Sequence, residues 1–270
     1  MTMSQATLLQ AVDEVARLTG QVALRHYRTG VSVETKGDGS PVTIADRAAE
    51  EAARAWITAR FPGDAILGEE FGAEGNQGDR RWIIDPIDGT KTFVRGVPLW
   101  GTLIGVTRGE EVLAGAIYCP AVEEMVAAAL GEGCWWNGTR SRVSDCRALS
   151  SATVLVTADQ FPGKPARAAG WTSLAASAAV ARTWGDCYGY VLVATGRAEL
   201  MVDNLMSPWD SAALVPVVRE AGGEFSDWNG RVTAFGDGAV ATNAALASEL
   251  RARLGVPWPG AEQIKEAARA

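Results

Sequence analysis

Acidic residues stand at the points of this chain where chemistry could be done: Asp46, the pair Glu69-Glu70, the pair Asp85 and Asp88, and Asp210. The densest stretch is "WIIDPIDGTKTFVRG", in which the two aspartates close an apolar run and Gly89-Thr90 follow at once. Carboxylates that near repel each other, and burying them unpaired is costly. Pro86 and Ile87 leave little room for a relaxed polar turn between them, so a positive partner is expected. Each other acid, taken alone, has a duller explanation. Thr43-Ile44-Ala45-Asp46 fits a helix capping box. Glu69-Glu70 fits a solvated strand end. Asp210 fits a first-turn dipole partner behind Ser207 as N-cap and Pro208. Together they read differently, because each lies at a strand end or a helix start, where sites tend to be built. Carboxylates converging without histidine make an all-oxygen site suited to Mg²⁺ or Mn²⁺. Gly89-Thr90 opens a helical turn whose N–H groups can hold phosphate. Divalent ions, a water nucleophile and a phosphate cradle describe metal-assisted phosphoester hydrolysis.

Composition narrows the choice further. The single histidine, His26, sits near the end of a helical pattern, where hydrogen bonding to a free carbonyl explains it. Serine–histidine, cysteine–histidine and multi-histidine metal chemistry therefore have almost nothing to work with. A net charge of −7 gives no electrostatic support to a nucleic-acid role. Cys119, Cys134, Cys146 and Cys187 form no C-x-x-C pair and read as buried free thiols of a reducing cytosol. No secretory leader is expected of "MTMSQATLLQAVDEVARL", and no apolar run approaches the ~20 residues that span a bilayer. The expectation is a cytoplasmic protein without a membrane partner.

The elements that must position these acids follow from periodicity. Helices are predicted over 5–28 and 43–64, the second ended by Phe61-Pro62-Gly63. A polar connection, with strand character at its start, spans 30–43. "AILGEE" (65–70) and "WII" (82–84) read as strands, 72–81 as a surface loop and 89–94 as a helical turn. Residues 99–144 read as antiparallel hairpins divided at Arg108-Gly109, Cys119-Pro120 and Asn137-Gly138. From about residue 150 the pattern becomes strand (151–159), helix (170–185), amphipathic helix (186–196) and strand (198–204). A helix over 207–221, kinked by Pro216, leads to Gly222-Gly223 and a hairpin, then a last strand and helix over 238–255. This divides the chain into an α+β half, 1–148, with most metal ligands, and an α/β half, 149–270, closing the active site.

"GSPVTIAD", "LGEE", "WIIDPIDGTKTFVRG" and "SPWDSAALVPVVREAGG", in that order, resemble the signatures of the inositol monophosphatase superfamily over about residues 36–223. The resemblance implies an α/β (α+β) fold, a layered αβαβα sandwich of the inositol monophosphatase/fructose-1,6-bisphosphatase type. It implies two to three Mg²⁺ ions, with Mn²⁺ as a substitute. Glu69, Asp85 and the Ile87 carbonyl would hold the first, and Asp85, Asp88 and Asp210 the second. Glu69 and waters would hold a weaker third. Thr90 with Asp46 would orient and deprotonate the attacking water, and the Gly89 and Thr90 N–H groups would bind phosphate. A homodimer is the superfamily's usual state, and Trp135-Trp136 is a candidate for packing it.

The flanking segments "FVRGVP" and "WGDCYGY" are more similar to the histidinol-phosphate phosphatase branch. Inositol enzymes usually continue with an Asn-Phe-x-His pattern and a small-residue turn where Gly185-Asp186 stands. Histidinol phosphate carries an ammonium and a protonatable imidazole, so its pocket calls for carboxylates away from the metals. Asp186 and Asp203 meet that demand, and Asp203 aligns with the family position that contacts the substrate alcohol. Their duller readings are a helix cap and a strand-end turn. Asn204 is a neutral partner, and Arg95 organises the loop or contacts the phosphate side. The alternatives are an inositol monophosphatase or broader sugar-phosphate phosphatase, and, in another class, a non-catalytic partner of the transcription machinery. A phosphatase for adenosine 3′,5′-bisphosphate is disfavoured, because no basic cluster awaits a second phosphate.

Overall fold

Two helices open the chain, α1 (Gln5–Leu24) and α2 (Ile44–Arg60), joined through the hairpin β1 (Val33–Thr35) and β2 (Pro41–Thr43). The computed structural model describes residues 4–37, 39, 41–75 and 80–257. Residues 76–79 of the loop expected over 72–81, and Asp38 and Ser40 of the 30–43 connection, lie outside the described residues. The first helix ends at Leu24 rather than near residue 28, because the amides of His26 and Tyr27 bond three residues back, to Ala23 and Leu24. The second starts on Thr43 and Asp46 in a capping box and stops at Phe61, which the following Pro62 keeps out of the helical conformation, at φ −132° and ψ 60°.

Eight strands form the larger sheet: β3 (Ala65–Gly68), β4 (Gly72–Glu74), β5 (Arg81–Asp88), β6 (Gly101–Arg108), β7 (Glu111–Cys119), β8 (Glu124–Ala129), β9 (Gly133–Trp136) and β10 (Thr139–Arg140). Their order is β10-β9-β8-β7-β6-β5-β3-β4, and only β3 and β5 run parallel. The hairpins expected over 99–144 are β6 to β10. Within the expected 72–81 loop, β4 instead folds back onto β3, Gly68 opposite Gly72.

A second sheet holds β11 (Thr153–Val156), β12 (Val180–Arg182), β13 (Leu200–Asp203), β14 (Glu224–Ser226) and β15 (Ala239–Thr242), in the order β12-β11-β13-β15-β14. Its helices are α4 (Pro165–Ala175), α5 (Cys187–Ala194), α6 (Pro208–Ser211), α7 (Leu214–Glu220) and α8 (Ala247–Leu254); the helical turn α3 (Thr90–Val94) follows β5. The helix predicted over 170–185 is therefore shorter and earlier, and Val180–Arg182 leaves it to pair with β11 as an edge strand.

Side-chain alternation builds the layers. Trp82 and Ile84 of β5 face α1 and α2, packing on Leu8, Val12 and Ile57. Ile83, between them, faces α5 and α7, where Tyr190, Val191 and Val217 lie. The same middle layer meets Leu155, Met201 and Phe225 of the second sheet. That sheet's opposite face, with Val154, Leu200 and Val240, packs on Trp171 and Leu174 of α4 and Leu250 of α8. The sequence of layers is helix, sheet, helix, sheet, helix. Sandwiched between two sheets, α5 is buried almost all round, so it lacks the polar face expected of an amphipathic helix.

Pro216 acts four residues upstream. Its ring crowds the carbonyl of Ala212 and it offers no N–H, and the helix expected over 207–221 is broken at Ala212–Ala213 into α6 and α7. The break rests on glycines: a β-carbon at Gly105 would lie 2.5 Å from Ala212 Cβ, and one at Gly115 would lie 2.7 Å from Ala213 Cα. Cys119, Cys134 and Cys187 are buried as expected, whereas Cys146 is half-buried; all are unpaired. Among the described residues no helix is long and apolar enough to cross a membrane.

Candidate active site

Residues 85 and 88 of a regular strand would point to opposite faces. Between them β5 carries one extra residue against β6, since Asp85 pairs with Leu103 and Asp88 with Gly101. Pro86 cannot donate to the ladder, and its carbonyl takes the Thr102 hydroxyl at 2.8 Å instead. This bulge re-aims the strand end and brings both aspartates to one side. The capping box of α6 supplies the third acid: Asp210 accepts the Ser207 N–H at 2.6 Å. Carboxylate oxygens of Asp85, Asp88 and Asp210 lie within 4.8 Å of one another.

The three acids disfavour each other's charge. Burial, then the charges of Glu69, Asp88 and Asp210, pushes Asp85 well above the usual carboxylate range. Burial, then Asp186 and Asp210, does the same to Asp88, against the opposing Cys187 N–H. Asp210 is pushed up to about 6, by burial first, with the Ser207 amide opposing and Glu69 adding. Each holds few donors, Asp85 only the Ile87 N–H at 3.0 Å among the described contacts. An all-oxygen cluster of this spacing is one that a hard cation about 2.0–2.6 Å from each oxygen can bridge, so the residues fit a divalent metal ion.

Glu69 neighbours Asp85 but stands outside that cluster. Its Oε1 accepts from Lys36 Nζ at 2.7 Å, and the same ammonium donates to Glu70 Oε1 at 2.6 Å. Burial alone would lower the Lys36 ammonium, yet its two glutamate partners outweigh that and raise it. Burial pushes Glu70 up to about 7, the Lys36 hydrogen bond opposing. The Glu69-Glu70 turn is held from beneath by Glu50, fully buried, which accepts the Glu70 N–H at 2.7 Å and pairs with Arg54 at 2.8 Å. Lys36 and the Glu50–Arg54 pair carry no motif, and sequence reading passed over them.

Asp46 Oδ2 accepts from the Thr43 amide and hydroxyl, both at 2.7 Å. Its other oxygen lies 3.4 Å from Thr90 Oγ1, which is 3.0 Å from the Ile87 carbonyl. One hydroxyl proton serves only one of these acceptors, and distance favours Ile87. Burial, chiefly, raises Asp46. Gly89 sits in the left-handed region at φ 86°, and a β-carbon there would lie 2.9 Å from Asp186 Oδ2. Glycine is thus needed twice over at the head of α3.

Asp186 makes no cap for α5; its carboxylate turns back to accept the Thr92 hydroxyl at 3.1 Å. Asp203, at the end of β13, accepts the buried Tyr190 hydroxyl at 2.8 Å. Burial, chiefly, raises both, Asp203 to about 7. Asp88, Asp186, Asp203 and Asp210 line one cavity of about 150 Å³ with Thr157 and Tyr190. Two expected residues stand apart from it. Arg95 is exposed at the C-cap of α3, and Asn204 turns its amide oxygen to Arg167 at 3.0 Å.

The model of the inositol monophosphatase family matches residues 4–255. The chain belongs to the inositol monophosphatase family. This family member is 43% identical over 249 residues to the histidinol-phosphatase of Chlorobaculum parvum, covering 92% of this chain and 96% of that one. It is 36% identical over 257 residues to the histidinol-phosphatase of Mycobacterium tuberculosis, covering 93% and 99%. Its fold matches the crystal structure of the extragenic suppressor protein suhB from Bartonella henselae with a TM-score of 0.85 at 28% identity, over 93% of this chain and 98% of that one. The inositol monophosphatase family member described here is a phosphatase, of a metal-dependent family, with an acidic cluster at its strand ends.

Proposed function

We propose that this phosphatase is Mg²⁺-dependent and hydrolyses histidinol phosphate to histidinol and phosphate. The observation that carries the reading is the pair Asp186 and Asp203, which line the same cavity as Asp88 and Asp210. A neutral polyol gains little from two further carboxylates, whereas an ammonium and an imidazolium neutralise them. The histidinol-phosphatases among its relatives support the same substrate.

In this reading Asp85, Asp88 and Asp210, with Glu69 and the Ile87 carbonyl, hold the metal ions. Bound Mg²⁺ supplies positive charge to the phosphate and the departing alkoxide and lowers the pKa of a water. The Gly89 and Thr90 N–H groups hold the phosphate in line. Thr90 Oγ1 orients the attacking water, and Asp46, whose burial favours the protonated form, takes its proton. Water oxygen bonds to phosphorus as the ester P–O bond breaks, and the proton taken by Asp46 passes on through solvent to the departing alkoxide, which leaves as the alcohol.

Phosphate release from histidinol phosphate and inositol 1-phosphate, with Mg²⁺ and with a chelator, tests this. Expected is a strong preference for histidinol phosphate that the chelator abolishes. Preference for inositol 1-phosphate would sink the substrate assignment and leave the metal chemistry standing. Turnover that survives chelation would sink both.

A further inference from the structure

The acidic wall of the cavity is itself built, and Tyr190 builds one side of it. Tyr190 is fully buried in α5, its ring tilted against Phe225 at 6.5 Å between centroids. The layer around it is aliphatic, with Val191, Val193 and Met201 as neighbours in the same cluster. Phenylalanine would fill that space equally well, so packing does not ask for a hydroxyl. What uses the hydroxyl is Asp203, whose Oδ2 accepts it at 2.8 Å; Met206 Sδ, at 3.5 Å, is the weaker partner.

Asp203 is held from its other side by Thr157, through side chain and backbone, and Thr157 Oγ1 accepts the Asp186 N–H at 2.9 Å. The two wall residues thus belong to one network running Asp186, Thr157, Asp203, Tyr190. Its hydrogen-bond grammar is one-sided. The only proton on the Tyr190 oxygen is spent on Asp203, so the tyrosine donates nothing to the cavity, and in their ionised form the carboxylates only accept. An ammonium group has three donors and no acceptor, and it fits such a wall; a ring hydroxyl brings an acceptor that the wall leaves unmatched.

We propose that Tyr190 is a specificity-determining positioning residue, which fixes the Asp203 carboxylate as an acceptor for the substrate's ammonium. The inference rests on the histidinol phosphate reading above. Tyr190→Phe removes one oxygen and keeps the ring, and its effect should fall on recognition. The KM for histidinol phosphate rises about tenfold, the loss of one charge-assisted hydrogen bond. Its kcat changes less than threefold, and so does kcat/KM for 4-nitrophenyl phosphate, whose alcohol has no ammonium. In an Asp203→Asn background the same substitution adds nothing to KM, because the group it positions is already altered.

Equal losses on both substrates, or an additive effect in the double variant, would overturn the proposal and mark Tyr190 as structural. So would an unchanged KM in Tyr190→Phe. The wild-type enzyme separates the two levels of failure. If it does not prefer histidinol phosphate to inositol 1-phosphate, the functional reading fails; if it does and Tyr190→Phe behaves like it, this inference alone fails.

Discussion

Two groups of aspartates meet at one cavity, which Asp88 and Asp210 of the first group and Asp186 and Asp203 of the second line together. Asp85, Asp88 and Asp210 crowd within 4.8 Å and have one backbone donor apiece. Asp186 and Asp203 stand on hydroxyls from Thr92, Thr157 and Tyr190. The first group is in conflict with itself, and only a cation resolves it. The second has hydroxyl donors that hold its carboxylates in place and offset part of the cost of burial. One residue type therefore does two jobs, and the hydrogen-bond partners tell them apart. On the proposed reading, the metal ions would sit where carboxylates lack donors, and the substrate's ammonium where they have them.

Replacing a member of the first group has the largest effect. Asp85→Asn lowers turnover about a thousandfold or more, since the charge that metal binding needs is gone. It also raises the thermal midpoint of the metal-free protein by about 2–4 °C for each kcal/mol of repulsion removed. Calorimetry in chelator beside a phosphate-release assay checks both, and near-normal activity would end the metal-site assignment.

A pH series separates the groups without mutation. Unfolded aspartates titrate near 4, whereas Asp210 and Asp203 in the fold are raised to about 6 and about 7. At these two groups the fold binds more protons than the unfolded chain, so the stability they contribute to the metal-free protein is fully present below about pH 4 and is lost as pH rises through about 6 and 7. Added Mg²⁺ should cancel the part due to the crowded cluster and leave the part due to Asp203. A melting curve with the same pH slope with and without Mg²⁺ contradicts the comparison.

Smaller effects probe the wall. Asp203→Asn lowers kcat/KM for histidinol phosphate about tenfold and that for 4-nitrophenyl phosphate less than threefold. If steady-state kinetics show equal losses, the wall has no recognition role. Thr92→Val, which takes the donor from Asp186, raises the KM for histidinol phosphate only about two- to threefold. A larger loss in kcat than in KM would move Asp186 into the metal group.

Local chemistry was legible before the structure. The capping box at Thr43, the N-cap position of Ser207, the acidic strand end at Asp85, the hairpin turns and the layered architecture all follow from short-range pattern or from motif resemblance. Contacts across the sequence were not. Tyr190 reaches Asp203 from another element, and Thr157 meets Asp186 across 29 positions; no periodicity encodes such a meeting. Helix α5 misled because its polar atoms serve partners in the interior. The stretch over 170–185 misled because the edge of a parallel sheet, a tertiary fact, claims Val180–Arg182. Arg95 and Asn204 are polar residues beside a motif, but Arg95 is exposed at a helix end and the Asn204 amide oxygen is taken by Arg167, contacts that no local pattern announces.

At Gly105 and Gly115 the large sheet meets the break at Ala212–Ala213 without a side chain of its own between them. Asp210 hangs two residues upstream of that seat, like a probe resting on a gauge block. A methyl group added at either glycine would press on the break itself and lift one carboxylate away from the other two. Interior packing and metal affinity are in this respect a single variable. A library varied only in the sheet interior, scored for ion affinity, would find its strongest responders at two positions that touch neither ion nor substrate.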